Sequence, residues 1–515
     1  MQQQRDFDSM FKGQTYGYRG DTPVRDWHVA CVTDYSDSVD AWDEADDAPK
    51  QHCYTVYAGT GSGKTQCAGH LAAYMRNSGK VDQVVLVCPN RSIRRRAKQV
   101  FFDVFNIDLV VFNARKHADG IGRAKEGYIL TYAHLIQNPQ LHRRICSANT
   151  IVIFDEIHHL GDKNGWGEAA VEAFGRVRHV VALTGTPYRS DNTRIPFVTY
   201  EEVGTDGLAR FRPDFAYTLG QAVADGVCRK PLFRFHKATV RIRPQADAGE
   251  LEVTFDDTNV TDQIASLRLR GAVQYGSPAR LEMLRSALDE CRAENRKVVI
   301  FLGGDSDSEH TATTDATQLL PTELHELGIG EHEYEVVVGV DKEAQDKIAK
   351  FGASPKWILV SVNMVSEGTD IPELSAAIFL TSVTAKQTTV QRIGRALRFM
   401  GPTDTNPEAV VFMFGDANLL ALADEIEKEI EVEVNLRRKQ ATETKDGTAD
   451  GARRRAETVC ISGGQATIVK FGGHTFPADM VQTARARLRE SRLPNNMLHA
   501  VLLLMMEQGD LNVAG

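Results

Sequence analysis

The sequence predicts an α/β protein of two parallel-sheet lobes. Three observations carry that expectation: two successive sets of short, continuous apolar strands, helix-compatible stretches between them, and a glycine-rich turn leading from an early strand into a helix. At 515 residues the chain exceeds one ordinary core and suggests about three units on the rule of roughly 150 residues each. The expected units are a first lobe over 1–225, carrying an acidic insert at 34–50, a second lobe over 226–420, and a polar linker with a small, mainly helical C-terminal extension over 421–515.

In chain order, "DYSDSVDAWDEADDAPK" (34–50) sets seven acids against one lysine and reads as a solvated insert. The apolar "YTVY" and the helix-compatible "QCAGHLAAYM" flank the glycine-rich turn, and strands follow at 84–89, 127–132, 150–156 and 179–187. Residues 217–236 read as a helix ending at Gly226 and a segment crossing into the second lobe. There the strand pattern recurs at 297–304, 334–340, 356–362 and 375–383, and "VVFMFGDAN" (410–418) completes the second sheet. "GGDSDSEHTATTD" (303–315) reads as a mobile loop, and 437–455 as a linker without large apolar residues.

"YAGTGSGKTQ" (57–66) has the mechanics of a phosphate-binding loop, although Ala58 stands where a first glycine is usual. Gly59, Gly61 and Gly63 let backbone N–H groups, including those of Thr60 and Ser62, turn towards phosphates; Lys64 adds a point charge and Thr65 a hydroxyl for Mg²⁺. Ninety-one residues on, Asp155 and Glu156 close a strand, a place where one carboxylate can hold hydrated Mg²⁺ (Asp155) and the other can orient and deprotonate water (Glu156). His158 and His159 are adjacent and lack a helix-spaced ligand set, so zinc is not expected.

At these residues the chain resembles the superfamily 2 helicases and translocases, in the branch whose strand-end motif reads D-E-x-H. "LTGTPYRSD" (183–191), "VSEGTDIP" (365–372) and "QRIGRALR" (391–398) resemble that group's third, fifth and sixth motifs, and "LTGTPYRSDNTRIPF" is most similar to motor subunits of restriction enzymes and their relatives in bacteria and phages. The resemblance implies two tandem RecA-like lobes with the nucleotide cleft between them and ATP with Mg²⁺ as cofactors. It further implies Arg395 and Arg398 as arginine fingers, Gln391 beside the γ-phosphate, Gly368 and Asp370 at the nucleotide, and Thr184, Gly185, Thr186 and His158 as the link between nucleotide state and strand grip.

"CPNRSIRRRAKQVF" (88–101) matches in position the family's contact to the sugar–phosphate backbone, which implies Arg91, Arg94, Arg95, Arg96 and Lys98 as phosphate partners, while a solvated helix face remains the alternative for any one of them. Thr131 and Tyr132 resemble a second backbone contact, with Tyr132 equally suited to a core. Many relatives read adenine with a glutamine in R-x-x-Q; "VRDWHVA" (24–30) puts His28 in that place, where it addresses the base with one nitrogen at a time or packs beside Trp27. The helices expected around Pro494 form either a helix-turn-helix or a hairpin that packs on a lobe.

The leading function is therefore a nucleic-acid-dependent ATPase acting as a DNA helicase or translocase. The alternative is an ATP-driven clamp or remodelling motor subunit of a restriction, defence or replication complex that does not itself unwind strands. The expected polymer is DNA, single- or double-stranded, with RNA left open, and a nuclease or replication factor is the expected kind of protein partner. A formal charge of −9 excludes a globally basic binder, so polyanion contacts must be local. No apolar run reaches the roughly 18–20 residues of a membrane span. The N-terminus lacks a basic segment leading into an apolar one and eight cysteines are scattered without C-x-x-C, which predicts a cytoplasmic protein without membrane contact.

Overall fold

The computed structural model describes residues 16, 24–117, 119, 126–161, 165–185, 195–203, 208–242, 250–257, 260–303, 309–339, 343–362, 371–399, 404, 406–443, 468–471 and 474–477, with scattered positions between 480 and 505. The chain divides into two compact units, Met1–Thr218 and Leu219–Gly515.

The first unit opens with helix α1 (Asp26–Glu44) and continues through β1 (His52–Ala58), α2 (Lys64–Asn77), β2 (Gln83–Cys88), α3 (Arg91–Phe105), β3 (Leu109–Val111), β4 (Gly127–Thr131), β5 (Thr150–Asp155) and β6 (His179–Thr184). A hairpin, β7 (Tyr200–Val203) and β8 (Leu208–Phe211), precedes β9 (Phe215–Tyr217). The seven-stranded sheet has the order β3-β4-β2-β5-β6-β1-β9, and its neighbours all pair in parallel. Every residue of β5 and β6 is buried, as continuous apolar strands covered on both faces require. Because the strands run in parallel, the residues that follow β1, β2, β4, β5 and β6 gather at one edge of the sheet, where an open α/β sheet presents its crevice.

The second unit begins with α4 (Leu219–Ala224), which ends just before Gly226 at φ 67°, a left-handed turn that glycine adopts without strain. It continues with β10 (Lys230–His236), the hairpin β11 (Thr239–Ile242) and β12 (Leu251–Thr254), then β13 (Lys297–Leu302), β14 (Tyr334–Val337), β15 (Ile358–Val362), β16 (Leu374–Leu380), α5 (Lys386–Ala396), β17 (Glu408–Phe414), α6 (Ala417–Glu443), β18 (Ile468–Phe471) and β19 (His474–Pro477). The eight-stranded order is β14-β15-β13-β16-β17-β10-β18-β19, parallel as far as β10 and antiparallel beyond it. Two tandem parallel-sheet α/β lobes, the expected RecA-like class, are the architecture of this protein.

Three stretches differ from the sequence reading. The acidic insert is largely helix: α1 buries Trp27, Val29, Cys31, Val32, Tyr35 and Val39, an apolar stripe at helical spacing that its acids conceal. Several of those acids are tied down, with Asp34 accepting from the Tyr54 hydroxyl and Lys80 paired to Asp40 at 3.0 Å and to Asp43 at 2.6 Å. The second is 303–315, whose residues 309–314 are helical rather than loop because Ala312, Ala316 and Leu320 fall four apart and are buried. The third is α6, which runs to Glu443 and so enters the stretch expected as linker; Leu419, Leu422, Ala423, Ile426 and Ile430 anchor it, and the Glu, Arg, Lys and Gln residues of its continuation favour helix. Within the C-terminal extension, β18 and β19 add a hairpin along β10. Most of the segment around Pro494 lies outside the described residues.

Candidate nucleotide site and basic surface

The glycine-rich turn leaves β1 at Ala58 and enters α2 at Lys64, with Gly61 at φ 87° and Gly63 at φ 101°, backbone that a side chain at either position would strain. No side chain caps the start of α2, whose first turn sets backbone N–H groups and the positive end of the helix dipole at the loop. The loop is held from beneath by α1. The Trp27 indole N–H donates to the Ser62 carbonyl at 3.1 Å, the Arg25 guanidinium donates to the same oxygen, and Trp27 stacks on Tyr217 at 4.8 Å between centroids. A Cβ on Gly63 would lie 2.7 Å from Arg25 Nη1, a side-chain end that could shift, so it is the positive φ that calls for glycine there.

Lys64 Nζ sits 3.2 Å from Glu156 Oε1 and donates to the Ala58 carbonyl at 3.2 Å. Glu156 follows β5 at φ 54°, a left-handed conformation uncommon for a non-glycine residue and typical of functional turns. Its second oxygen accepts from the Gly185 N–H at 3.0 Å and lies 3.5 Å from His158 Nδ1. His158 Nδ1 is also 3.1 Å from the Thr184 hydroxyl at the end of β6, so one imidazole connects the carboxylate to the neighbouring strand. Burial alone would raise the Glu156 pKa, but Lys64, then His158 and the Gly185 N–H, hold it down at about 2. A Cβ on Gly185 would stand 2.5 Å from Lys64 Nζ, which reserves that space for the ammonium group. Asp155 is buried at the end of β5 and Thr65 lies at the start of α2. These two hard oxygen donors, with the loop's N–H groups, suit a Mg²⁺-bound phosphate, since Mg²⁺ takes one or two protein oxygens beside phosphates.

Thr186, Gly368 and Asp370 lie outside the described residues. Tyr132 takes the second of its two expected places, the core: it is fully buried, stacks near Phe154 and Trp166, and its hydroxyl donates to the Asp155 carbonyl at 2.9 Å, fixing the strand end that carries the acidic pair. Thr131 is buried too, its hydroxyl 2.7 Å from His134 Nδ1. His28 is 1% exposed, packed against Trp27 at 4.3 Å and His70 at 5.4 Å; burial, followed by the fields of His70 and Arg25, holds its pKa well below the usual imidazole value.

Among the basic residues, Arg91, Arg95 and Arg96 are exposed and Arg94 half-buried at the start of α3, which Asn90 caps by accepting from the Ser92 and Ile93 N–H groups at 3.0 Å. Lys98 is turned away to donate to the Leu109 carbonyl at 2.6 Å. His134 stands close enough to Arg94 and Arg91 that burial first, and then their charge, lowers its pKa. In the second unit α5 places Gln391 in a buried position and Arg395 and, just past the helix, Arg398 in half-buried ones. Arg25, Trp27 and Tyr132 were missed as supports of the site; the recurrence of Trp27, Cys31, Tyr35 and Val39 at helical spacing was the signal for the first two.

A parallel α/β sheet with a phosphate loop and an acidic strand end defines the class as a phosphate-loop nucleotide-binding protein. Residues 23–189 match the family model "Type III restriction enzyme, res subunit" and residues 279–400 match "Helicase conserved C-terminal domain". The two matched segments are the domains of a superfamily 2 helicase, the first of the restriction-enzyme motor kind. An uncharacterized protein of Mycobacterium tuberculosis is 32% identical over 385 residues, covering 73% of this chain and 60% of that protein. DNA 3'-5' translocase XPB2 of Sulfurisphaera tokodaii is 21% identical over 355 residues, 66% of this chain and 73% of the other. A structure described as a fragment of an HsdR subunit of a type I restriction enzyme from Vibrio vulnificus shares the fold, with TM-score 0.51 at 16% identity over 81% of this chain and 68% of that one. The chain spans 60–64% of the length of the mycobacterial relatives it matches. No described helix is long and apolar enough to cross a membrane.

Proposed function

We propose that this protein is an ATPase stimulated by nucleic acid that translocates along DNA. The observation that carries the reading is the Lys64–Glu156 pair at 3.2 Å, with the Gly185 N–H on the same carboxylate. Held by Lys64, Glu156 is a weak base. When the phosphates of ATP take the ammonium group, the carboxylate loses its main cation, its pKa rises, and it becomes able to orient water and accept its proton. ATP binding thus switches on its own base. Thr65 and Asp155 would hold Mg²⁺, whose chemistry is to neutralise phosphate charge. Arg395 and Arg398 would add positive charge as the phosphoryl group transfers, and His158 with Thr184 and Gly185 would pass the state of Glu156 to β6.

Arg91, Arg94 and Arg95 at the start of α3 supply a sequence-independent phosphate track, and a relative described as a DNA translocase supports DNA as the polymer. The test is ATP turnover by the purified chain with single- and double-stranded DNA and RNA, beside displacement of a labelled strand. Turnover raised most by DNA supports the reading, turnover without displacement makes it a translocase or clamp rather than an unwinding enzyme, and turnover that no polymer changes overturns it.

A further inference from the structure

Immediately before β10 the second unit buries a cation that the chemistry above does not use. Arg229 is 2% exposed, and its guanidinium pairs with Asp404 at 2.6 Å. Its remaining donors go to backbone carbonyls: Nε to Asn406 at 2.8 Å, Nη1 to Leu374 at 2.7 Å, Ala396 at 3.2 Å and Arg398, and Nη2 to Pro372 at 3.2 Å. Asp404 is fixed in turn, accepting from the Asn406 N–H at 2.9 Å.

The carbonyls belong to three segments: the entry to β16, the exit from α5, and the entry to β17. The exit from α5 is gripped most closely. The Arg229 backbone N–H donates to the Leu397 carbonyl at 2.5 Å, and Cys228 pairs with Arg398 as an antiparallel bridge. Ala396, Leu397 and Arg398 therefore each give a carbonyl to one residue. These are end-of-helix acceptors without intrahelical partners, and a cation there also meets the negative end of the helix dipole. Only a planar fork of five donors reaches acceptors spread in this way; a lysine ammonium has three donors about a single atom.

We propose that Arg229, locked by Asp404, is a positioning residue for Arg395 and Arg398. It fixes the backbone on either side of Leu397 and so sets the directions of Arg395, in the last turn of α5, and of Arg398, just past it. This rests on the reading of that pair as transition-state arginines. Its effect is on turnover, exerted through them, and not on nucleotide binding.

The test uses the full-length chain with oligo(dT) as the polymer, comparing Arg229→Lys and Asp404→Asn with Arg398→Ala and the double variants. Arg229→Lys keeps charge opposite Asp404 and loses the fork. The expected result is a fall in kcat of about tenfold or more for Arg229→Lys, nucleotide Kd within about twofold of the parent, and a smaller further loss when the substitution is made in Arg398→Ala than in the parent, because only Arg395 is then left for it to position. Asp404→Asn, which keeps the guanidinium and its carbonyls, should give a smaller loss with the same non-additivity, and it carries the test if Arg229→Lys does not fold. Unchanged kcat in the folded variants, or a loss that multiplies fully with Arg398→Ala, overturns the proposal. If Arg398→Ala and Arg395→Ala themselves keep parental kcat, it is the transition-state reading of the pair that fails.

Discussion

Lys64 in the first unit and Arg229 in the second are both cations facing a carboxylate, at 3.2 and 2.6 Å, yet their surroundings differ. The side chains of Lys64 and Glu156 are 11% and 18% exposed, those of Arg229 and Asp404 1% and 4%. Lys64 makes one further bond, to the Ala58 carbonyl, whereas Arg229 donates to carbonyls of three separate segments. The first pair can exchange partners at small cost because solvent and a ligand's phosphates can replace what it gives up. The second is committed, since removing either ion strands the other in a dry interior. Chemistry sits on the exchangeable pair and geometry on the committed one.

That contrast can be broken at several strengths. The largest effect is expected from Arg395→Ala and Arg398→Ala, which should lower kcat by roughly 10³–10⁵ while nucleotide Kd changes little. Separate measurement of the two quantities decides it, and lost affinity with intact kcat would assign these arginines to the resting pocket. Glu156→Gln should come next, with turnover down about 10²–10⁴ and ATP still bound, since the amide cannot take a proton and leaves Lys64 free for phosphate. Steady turnover near the parental rate would remove Glu156 from the chemistry.

Stability should separate the pairs in the other direction. Arg229→Met is expected to destabilise the second unit by about 3–5 kcal/mol, because Asp404 and several carbonyls lose their donor together. Lys64→Met should cost less than this, because the Gly185 N–H stays on Glu156 and the site opens to solvent, while abolishing ATP use. Denaturant unfolding followed by hydrogen exchange shows both the size and the unit affected; equal costs would erase the distinction.

Acid should then loosen the first unit before the second. Burial holds the pKa of His52, His142 and His179 at about 4 and of His70 at about 3, and lowers His28 as well, whereas His236 is the corresponding residue among the described ones of the second unit, also at about 4. An unfolded chain takes up these protons near pH 6.5 and the folded one only near pH 4 or below, so the stability they carry is complete above about 6.5 and falls as pH drops towards 4. Hydrogen exchange at about pH 7.5 and 5 should show protection lost chiefly in the first unit. The smallest effect concerns the base: with His28 enclosed by Trp27 and His70, GTP should support turnover within about tenfold of ATP in kcat/KM, or roughly 1.4 kcal/mol. Parallel kinetics with the two nucleotides test it, and strict ATP dependence would mean that another group reads adenine.

What the sequence made legible follows the same division. Continuous apolar strands, the glycines of the loop and the Asp155–Glu156 pair are legible because their chemistry lies in the side chains themselves, or in having none. α1 was hidden because its acids dominate the composition while its buried stripe is spread over residues 27–39. Arg229 left no trace because its partners are mostly backbone carbonyls, which every residue has. Tyr132 was ambiguous for a related reason: a hydroxyl that donates to the Asp155 carbonyl and one on a surface look alike in sequence.

Trp27 turns one of these supports into an optical instrument. Its indole N–H donates to the Ser62 carbonyl and its ring lies nearly parallel to Tyr217, with 9° between the planes, so its emission depends on where that carbonyl points. The other tryptophans have different neighbours: Trp42 lies beneath Arg178, Trp166 beside Tyr132, and Trp357 donates to Glu333. With those three replaced by phenylalanine, the protein would carry a single tryptophan, excited selectively above the tyrosine band, beside its phosphate loop. Nucleotide arrival could then be timed by stopped flow without labelling either molecule.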